Sequence, residues 1–512
     1  MKLMMLVLLA LCPGFEGAVL FLTGASCIED LDESTLERFR ALEQRPLDLN
    51  AAGSRRLVAS GLVSAFQAAS LIEYRLESGE ILSYTELGLV DGFTPAYAEA
   101  LRPFTVLGVS SPPGQRPLRA VHNDLMLRGS ARESEGWTPA GGFRYRFSAG
   151  EWAEVNWSSR TTYSETAPSL GTVSAAVYGR KYLGKLVLGH FNARLGQGLV
   201  LWDGFSATPW SGVGTFRRSG TGFSPTGSFS PGRCGAAADF GLGAWSASIA
   251  YSFTDKLPMG ALGYVGKRFS LGLSVAGRSV GADFKLGYPG GVVFGEAAWK
   301  GEPAAVLGTL WIPSYGYKAG ALLRYLSGTP DIALGASGKT FEALVYGSPA
   351  QFRSFARFAP SWQAGPFRIG PSLRLAARHK DFWRLEGRGE AEVSLEPFVL
   401  RSRLDVVHGR GPAWLFNVEG GAVGEKAKAW LRWTLFCIDQ WDDRIYVYER
   451  DVPGSFNVPA YYGRGWALSF AGSWKPSRRH RLDCRVSYVE YPWNTTYKAS
   501  KFEVKLQYQL SL

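Results

Sequence analysis

Beyond its first two dozen residues, this 512-residue chain lacks any apolar run long enough to cross a membrane as a helix. Such a helix needs ~18 to 20 consecutive apolar residues. If the protein lives in a membrane it must do so as a closed barrel, because lipid tolerates no unpaired strand edge. Cysteine is scarce, 5 in all, and Cys234, Cys437 and Cys484 stand far apart without CxxC spacing. That excludes a disulfide framework and a zinc site. The 5 histidines (His122, His190, His379, His408, His480) are equally scattered, so no metal or other cofactor is expected. No GxSxG elbow, no HExxH pair and no GxxxxGK[ST] loop is expected. His408 near Asp405 is too generic a pair to carry catalysis, and no enzyme is expected.

Glycine and aromatic residues are plentiful instead, with 62 Gly and 13% Phe, Trp and Tyr. Together with 46% hydrophobic residues, this composition favours an all-β chain with tight turns and aromatic anchoring. Lys2, the apolar stretch Leu3–Cys12, a second patch at Ala18–Leu22 and the small residues Thr23-Gly24-Ala25-Ser26 read as an export signal. Residues 1–26 are therefore expected to be removed. Cys27 follows Gly24-Ala25-Ser26 and is a candidate lipidated cysteine, although a lipobox places Leu where Gly24 stands.

Residues 27–107 read as short capped helices. Asp32 or Ser34 caps a first helix carrying Leu36, Phe39 and Leu42, which Pro46 ends. Asn50 is expected to cap a second helix from Ala51 to about Ala59. Ser64 caps a third, stopped by Gly79, and Ser83-Tyr84-Thr85-Glu86 forms a capping box. Thr94-Pro95 starts the last. A breaker-rich linker, Ser110–Gln115, lies within residues 108–117.

From 118 to 512 period-2 alternation dominates. Phe398, Leu400, Leu404 and Val406 alternate with Arg401, Arg403 and Asp405, and Leu482, Cys484, Val486 and Tyr488 with Arg481, Asp483 and Arg485. The final strand runs to Leu512, as barrel-assembly signals do, with Leu in place of the usual Phe. The expected fold is a small all-α domain followed by a large antiparallel transmembrane β-barrel of about 14 to 18 strands. The segment Asp203–Arg233 is too irregular for strands and reads either as a surface loop or as a constriction folded into the lumen. The inward rows are basic: Arg144, Arg146, Arg368, Arg374, Arg401, Arg403, Arg481 and Arg485. With a formal net charge of +12 they could concentrate anions. Alternatively they pair with Asp405, Asp483, Glu392 and Glu503 and simply fill the barrel.

Leu49-Asn50-Ala51, Ile72-Glu73-Tyr74-Arg75, Gly79, Glu86-Leu87 and Val90-Asp91-Gly92-Phe93 resemble paired helix-hairpin-helix motifs of the competence-receptor type. That resemblance implies hairpins at Gly61-Leu62-Val63 and Gly92-Phe93-Thr94 whose backbone N–H groups hold a nucleic-acid phosphate. Gly61, Leu62, Ser64, Gly92 and Thr94 would form the cradle, and Arg55, Arg56, Arg75 and Arg102 would supply cations. Both hairpins lack the family's second glycine. Leu188-Gly189-His190-Phe191, Gly196–Trp202 (GQGLVLW), Tyr446–Tyr462 and Gly463-Arg464-Gly465 resemble a family of exported Bacteroidota proteins with such a domain ahead of a barrel. The resemblance implies a bacterial outer-membrane location with the helical domain in the periplasm. The expected function is a transport or translocation component handling an anionic polymer, such as DNA, or a protein partner. The competing expectation is a non-conducting, plugged barrel that anchors an envelope assembly. Implied partners are outer-membrane lipid, DNA or a periplasmic protein, and the barrel-assembly machinery during biogenesis.

Overall fold

The computed structural model describes residues 15–108, 121–133, 136–163, 171–179, 182–204, 210–227, 229, 232–266, 268–312, 317–364, 367–493 and 500–512. The expected linker at Ser110–Gln115 and the leader's apolar core lie outside the described residues.

From Val121 to Ser511 the chain forms one closed antiparallel barrel in which each strand pairs with the next and the last, Lys501–Ser511, pairs with the first, Val121–Glu133. The sheet holds 26 strand segments, of which 24 are staves. Gly222–Pro225 only extends a pairing at the end of Leu183–Arg194, and Trp362–Ala364 prolongs Gln351–Phe358. The count exceeds the 14 to 18 expected for a physical reason. Between Trp245 and Phe358 the strands are short, and most of the described turns between them span only a few residues. Phe269–Ala276 and Ser279–Tyr288 are joined by Gly277-Arg278 alone, Lys318–Leu326 and Thr329–Ser337 by Ser327-Gly328. Positive φ at Gly277, Ser327 and Gly328 makes these tight turns twist with the strands. Gly277-Arg278-Ser279-Val280-Gly281 spells G-x-S-x-G, but it is this hairpin and not a strand-to-helix elbow.

The outer face is apolar. In Phe398–His408, Phe398, Leu400, Leu404 and Val406 stay 45–62% exposed while Asp405 is 5% exposed. A soluble barrel would not present such a band; lipid covers it. Trp137, Trp299 and Trp383 mark one rim of the band, and Trp245, Trp311 and Trp474 the other, all more than half exposed. The connections 195–232 and 439–462 leave from the first rim, whereas the other rim carries short turns and both barrel ends, where Leu512 and Asn123 exchange backbone hydrogen bonds. Among the described residues no helix is long and apolar enough to cross a membrane.

Ahead of the barrel lies a helical module: α1 Phe15–Thr23, α2 Glu33–Gln44, α3 Ser54–Ser60, α4 Ala65–Ser78, α5 Tyr84–Leu87 and α6 Pro95–Leu101. Asp32 caps α2 through the Thr35 N–H, and Leu36, Phe39 and Leu42 turn into the module core. Ser64 and Gln67 form a full capping box on α4. Asn50 does not cap the second helix, which starts at Ser54 after Gly53. Its amide instead bridges the Ile81 and Gly108 carbonyls and accepts the Ile81 N–H, tying three distant segments together. A short parallel pairing of Leu47-Asp48 with Thr105-Val106 closes the module.

Candidate functional site, an ion-paired closure of the lumen

The helical module sits within the barrel lumen and reaches its short-turn mouth. Its docking surface is sorted by charge: the module brings carboxylates and the wall brings guanidinium groups. Glu37 of α2 pairs with Arg144 at 2.8 Å, both nearly inaccessible at 5% and 7% side-chain exposure. Asp32 meets Arg194 at 3.2 Å, and Ser34 accepts a second bond from that arginine. Glu29 meets Arg403 at 2.6 Å and Arg388 at 3.7 Å. Both arginines also hold Asp405. Glu16 of α1 bridges Arg401 at 3.1 Å and Arg450 at 3.3 Å. Among the described residues the sense is reversed at the short-turn mouth, where Arg56 of α3 pairs with Glu151 and Glu154 at 3.0 Å each.

Among the tentative nucleic-acid contacts, Arg56 is thus spent on the wall. Arg55 donates to the Phe240 carbonyl, Arg75 to the Leu49 and Ala52 carbonyls, and Arg102 pairs with Glu99. Gly61 takes φ +71° as the C-cap of α3, and Gly92 takes φ +83° against the Phe66 ring. Leu62 is buried and its carbonyl accepts from Tyr97, while Ser64 and Thr94 spend their hydroxyls as N-caps. Glycines of positive φ stand at both turns, but the neighbouring arginines have protein partners.

Of the basic row, Arg401 also pairs with Glu392, Arg481 with Asp483, and Arg485 with Glu449 and Glu503. Arg146 lines a small cavity beside Arg144, Asp124 and Gln507, and Arg374 donates to Cys27 Sγ at 3.3 Å. Arg368 lies in the strand Phe367–His379, opposite Ser394. Cys27, enclosed in the lumen with Asp30, does not suit a lipid anchor, since acyl chains there would have to cross the strand wall. Burial pushes its thiol up to about 12.

The acids of the docking surface, and the contacts made by three segments noted in the sequence, were not read from the sequence. The acids Glu29, Asp32 and Glu37 cluster just ahead of a basic barrel, a charge asymmetry that could have pointed to them. The Gly196–Trp202 segment folds back over Glu296, whose carboxylate accepts the N–H groups of Gln197, Leu199 and Val200 at 2.6, 3.2 and 3.3 Å. Gly196 and Gly198, at φ +55° and +90°, let the backbone wrap this anion. Residues 210–227 also turn inward, burying Trp210, Val213 and Phe216 against barrel strands and bringing the Ser211 carbonyl to the Ser26 hydroxyl. The constriction reading of Asp203–Arg233 therefore holds for its described residues. Finally, Tyr448 and Phe456 of the 439–462 connection pack on the module core.

Burial would raise the Glu29 carboxyl, but Arg388 and Arg403 outweigh it and hold it well below the usual carboxylate range. The same balance of burial against Arg450, Arg401 and Arg40 brings Glu16 down to about 2 from 4.5. A carboxylate lowered by docking stabilises the docked state above its free value and loses that contribution as pH falls towards the docked one. Glu16 lies within the stretch expected to leave as an export signal, so Glu29 carries the effect, and the module is expected to stay seated from neutral pH to about 4.5 and to loosen progressively below it. Conductance of the bilayer-inserted protein across an acid titration checks this; opening well above 4.5 would contradict it.

No family model matches the sequence, and no curated relative matches it. Among solved structures the chain is similar to OccK3 (OpdO) of Pseudomonas aeruginosa, at 12% identity and TM-score 0.32, over 77% of this chain and 95% of that one. It is also similar to the outer membrane protein opdK from Pseudomonas aeruginosa, at 11% identity and TM-score 0.32, over 77% of this chain and 100% of that one. A BenF-like porin from Pseudomonas fluorescens Pf-5 gives 9% identity and TM-score 0.33, over 77% and 99%.

Proposed function

We propose that this chain is an outer-membrane β-barrel kept closed by its own helical module and that it works as a gated translocation component for anionic cargo. The charge-sorted docking surface carries this reading. Acidic groups of the module occupy wall arginines that would face the passage once the module shifts. Outer-membrane barrels turn short loops to the periplasm, which would put the module's outer face on that side. Direct phosphate capture by the hairpins has less support, because Arg55, Arg56 and Arg75 are already engaged.

A second reading, a permanently plugged anchor for a protein assembly, draws on Leu76, Leu82 and Leu89, which stay 73–82% exposed on the module. A disulfide staple separates the two. A Cβ on Gly184 would lie 2.6 Å from Arg55 Cγ, so R55C with G184C brings sulfurs within bonding reach. In planar bilayers the protein is expected to be nearly silent and to open in mild urea, with the oxidised pair suppressing those openings and reduction restoring them. Steady conductance indifferent to the staple would sink the gate. Silence under every unseating condition would favour the anchor.

A further inference from the structure

We infer that Glu29, Asp32 and Glu37 are built-in stand-ins for the cargo, and that the cargo class is a linear acidic polysaccharide whose carboxylates take over their arginine sites. This deepens the gated-barrel reading and rests on it. Each site is matched to one carboxylate. Arg388 and Arg403 share Asp405 and have Glu390 beside them, so the departure of Glu29 vacates one carboxylate position on these guanidinium groups. Arg144 and Arg194 have Glu37 and Asp32 as the acids in their ion pairs among the described residues, so each of these two sites gains one positive charge when its acid leaves. The arginines come from strands on different parts of the wall, Trp137–Ala149, Leu183–Arg194 and the pair Trp383–Leu395 with Phe398–His408. A chain with repeated carboxylates can bridge them in turn; a small monoanion cannot.

Lumen chemistry disfavours single-stranded nucleic acid, the other flexible polyanion. Binding of that kind needs open aromatic faces on which bases stack. Here four of the described inward rings are already covered by guanidinium groups. Arg144 lies 4.3 Å from the Phe229 centroid, Arg324 4.5 Å from that of Trp210, Arg218 5.0 Å from that of Trp202 and Arg450 3.7 Å from that of Trp430. Carboxylate–guanidinium forks need no ring.

The test uses the full chain in planar bilayers, with a defined oligogalacturonate as probe. Neutral maltooligosaccharide, matched sodium chloride and a thymidine oligonucleotide of similar charge serve as controls. The oligouronate is expected to raise open probability at least tenfold at concentrations where the controls do little. The triple variant Glu29→Gln, Asp32→Asn, Glu37→Gln is expected to open without it, heat-modifiable migration on gels showing that its barrel is folded. If urea opens the pore but the oligouronate neither opens it nor interrupts the open current, the cargo inference falls while the gate stands. Equal action by the oligonucleotide overturns the polysaccharide class. A pore that never opens removes the gate and this inference with it.

Discussion

Replacing Glu37 with arginine is expected to unseat the helical module, turning a nearly silent barrel into one that is open for much of the time. The wild-type pair is almost fully enclosed, and Glu37→Arg sets two guanidinium groups against each other where one was neutralised. Breaking a buried ion pair on one side costs about 3 to 5 kcal/mol, because the remaining charge is left without a partner. At 1.4 kcal/mol per tenfold, the closed state should lose roughly a hundred- to a thousandfold or more of its advantage. Among the described residues Glu37 Oε2 and Arg144 Nε have no hydrogen-bond partner even in the native arrangement, which places the expected cost toward the lower figure. The exchanged pair E37R with R144E should recover much of the closure, since Coulomb attraction does not depend on which side carries which sign. Open probability and trypsin cleavage within the module report the result. A single E37R variant that stays silent and protease-resistant would show that this pair contributes nothing to closure.

Glu296→Ala is expected to release the inward fold of Gly196–Trp202. Three backbone N–H groups converge on that carboxylate, which is 3% exposed. Each buried donor left unpaired costs about 1 to 3 kcal/mol, so the segment should leave the wall and find water rather than bear all three. Arg217 and Arg218, packed inward in the native lumen, should then become trypsin sites. Glu296→Gln keeps an acceptor oxygen and should show intermediate cleavage. The barrel itself should still assemble, because the strand Gly291–Trp299 keeps its pairing on both sides. Cleavage at the wild-type rate would mean that the segment is held by its apolar contacts, not by Glu296.

Local signals carried the element types well. Alternation placed apolar residues outward and arginines inward because strand side chains alternate with a period of two, and that rule needs no knowledge of partners. Caps at Asp32, Ser64, Ser83 and Thr94 set helix starts for an equally local reason, each satisfying an N–H within its own first turn. Asn50 shows where this stops. An Asn before an apolar run is a plausible cap, but its partners here, Ile81 and Gly108, are 31 and 58 residues away. The strand count failed because glycine recurs inside the strands Leu257–Val265, Phe269–Ala276 and Ser279–Tyr288 as well as in their turns, so the turns do not stand out from the strands.

From sequence alone, the chemistry of the parts could be determined: a wall apolar outside and basic inside, and a capped helical module. Only the tertiary structure decided that the module fills the lumen and that its acids meet the wall's arginines. Those contacts join residues roughly a hundred to nearly four hundred positions apart, such as Glu37 with Arg144 and Glu29 with Arg403. Ion pairing depends on distance in space, and periodicity along a chain carries no record of which charges will meet once the barrel closes.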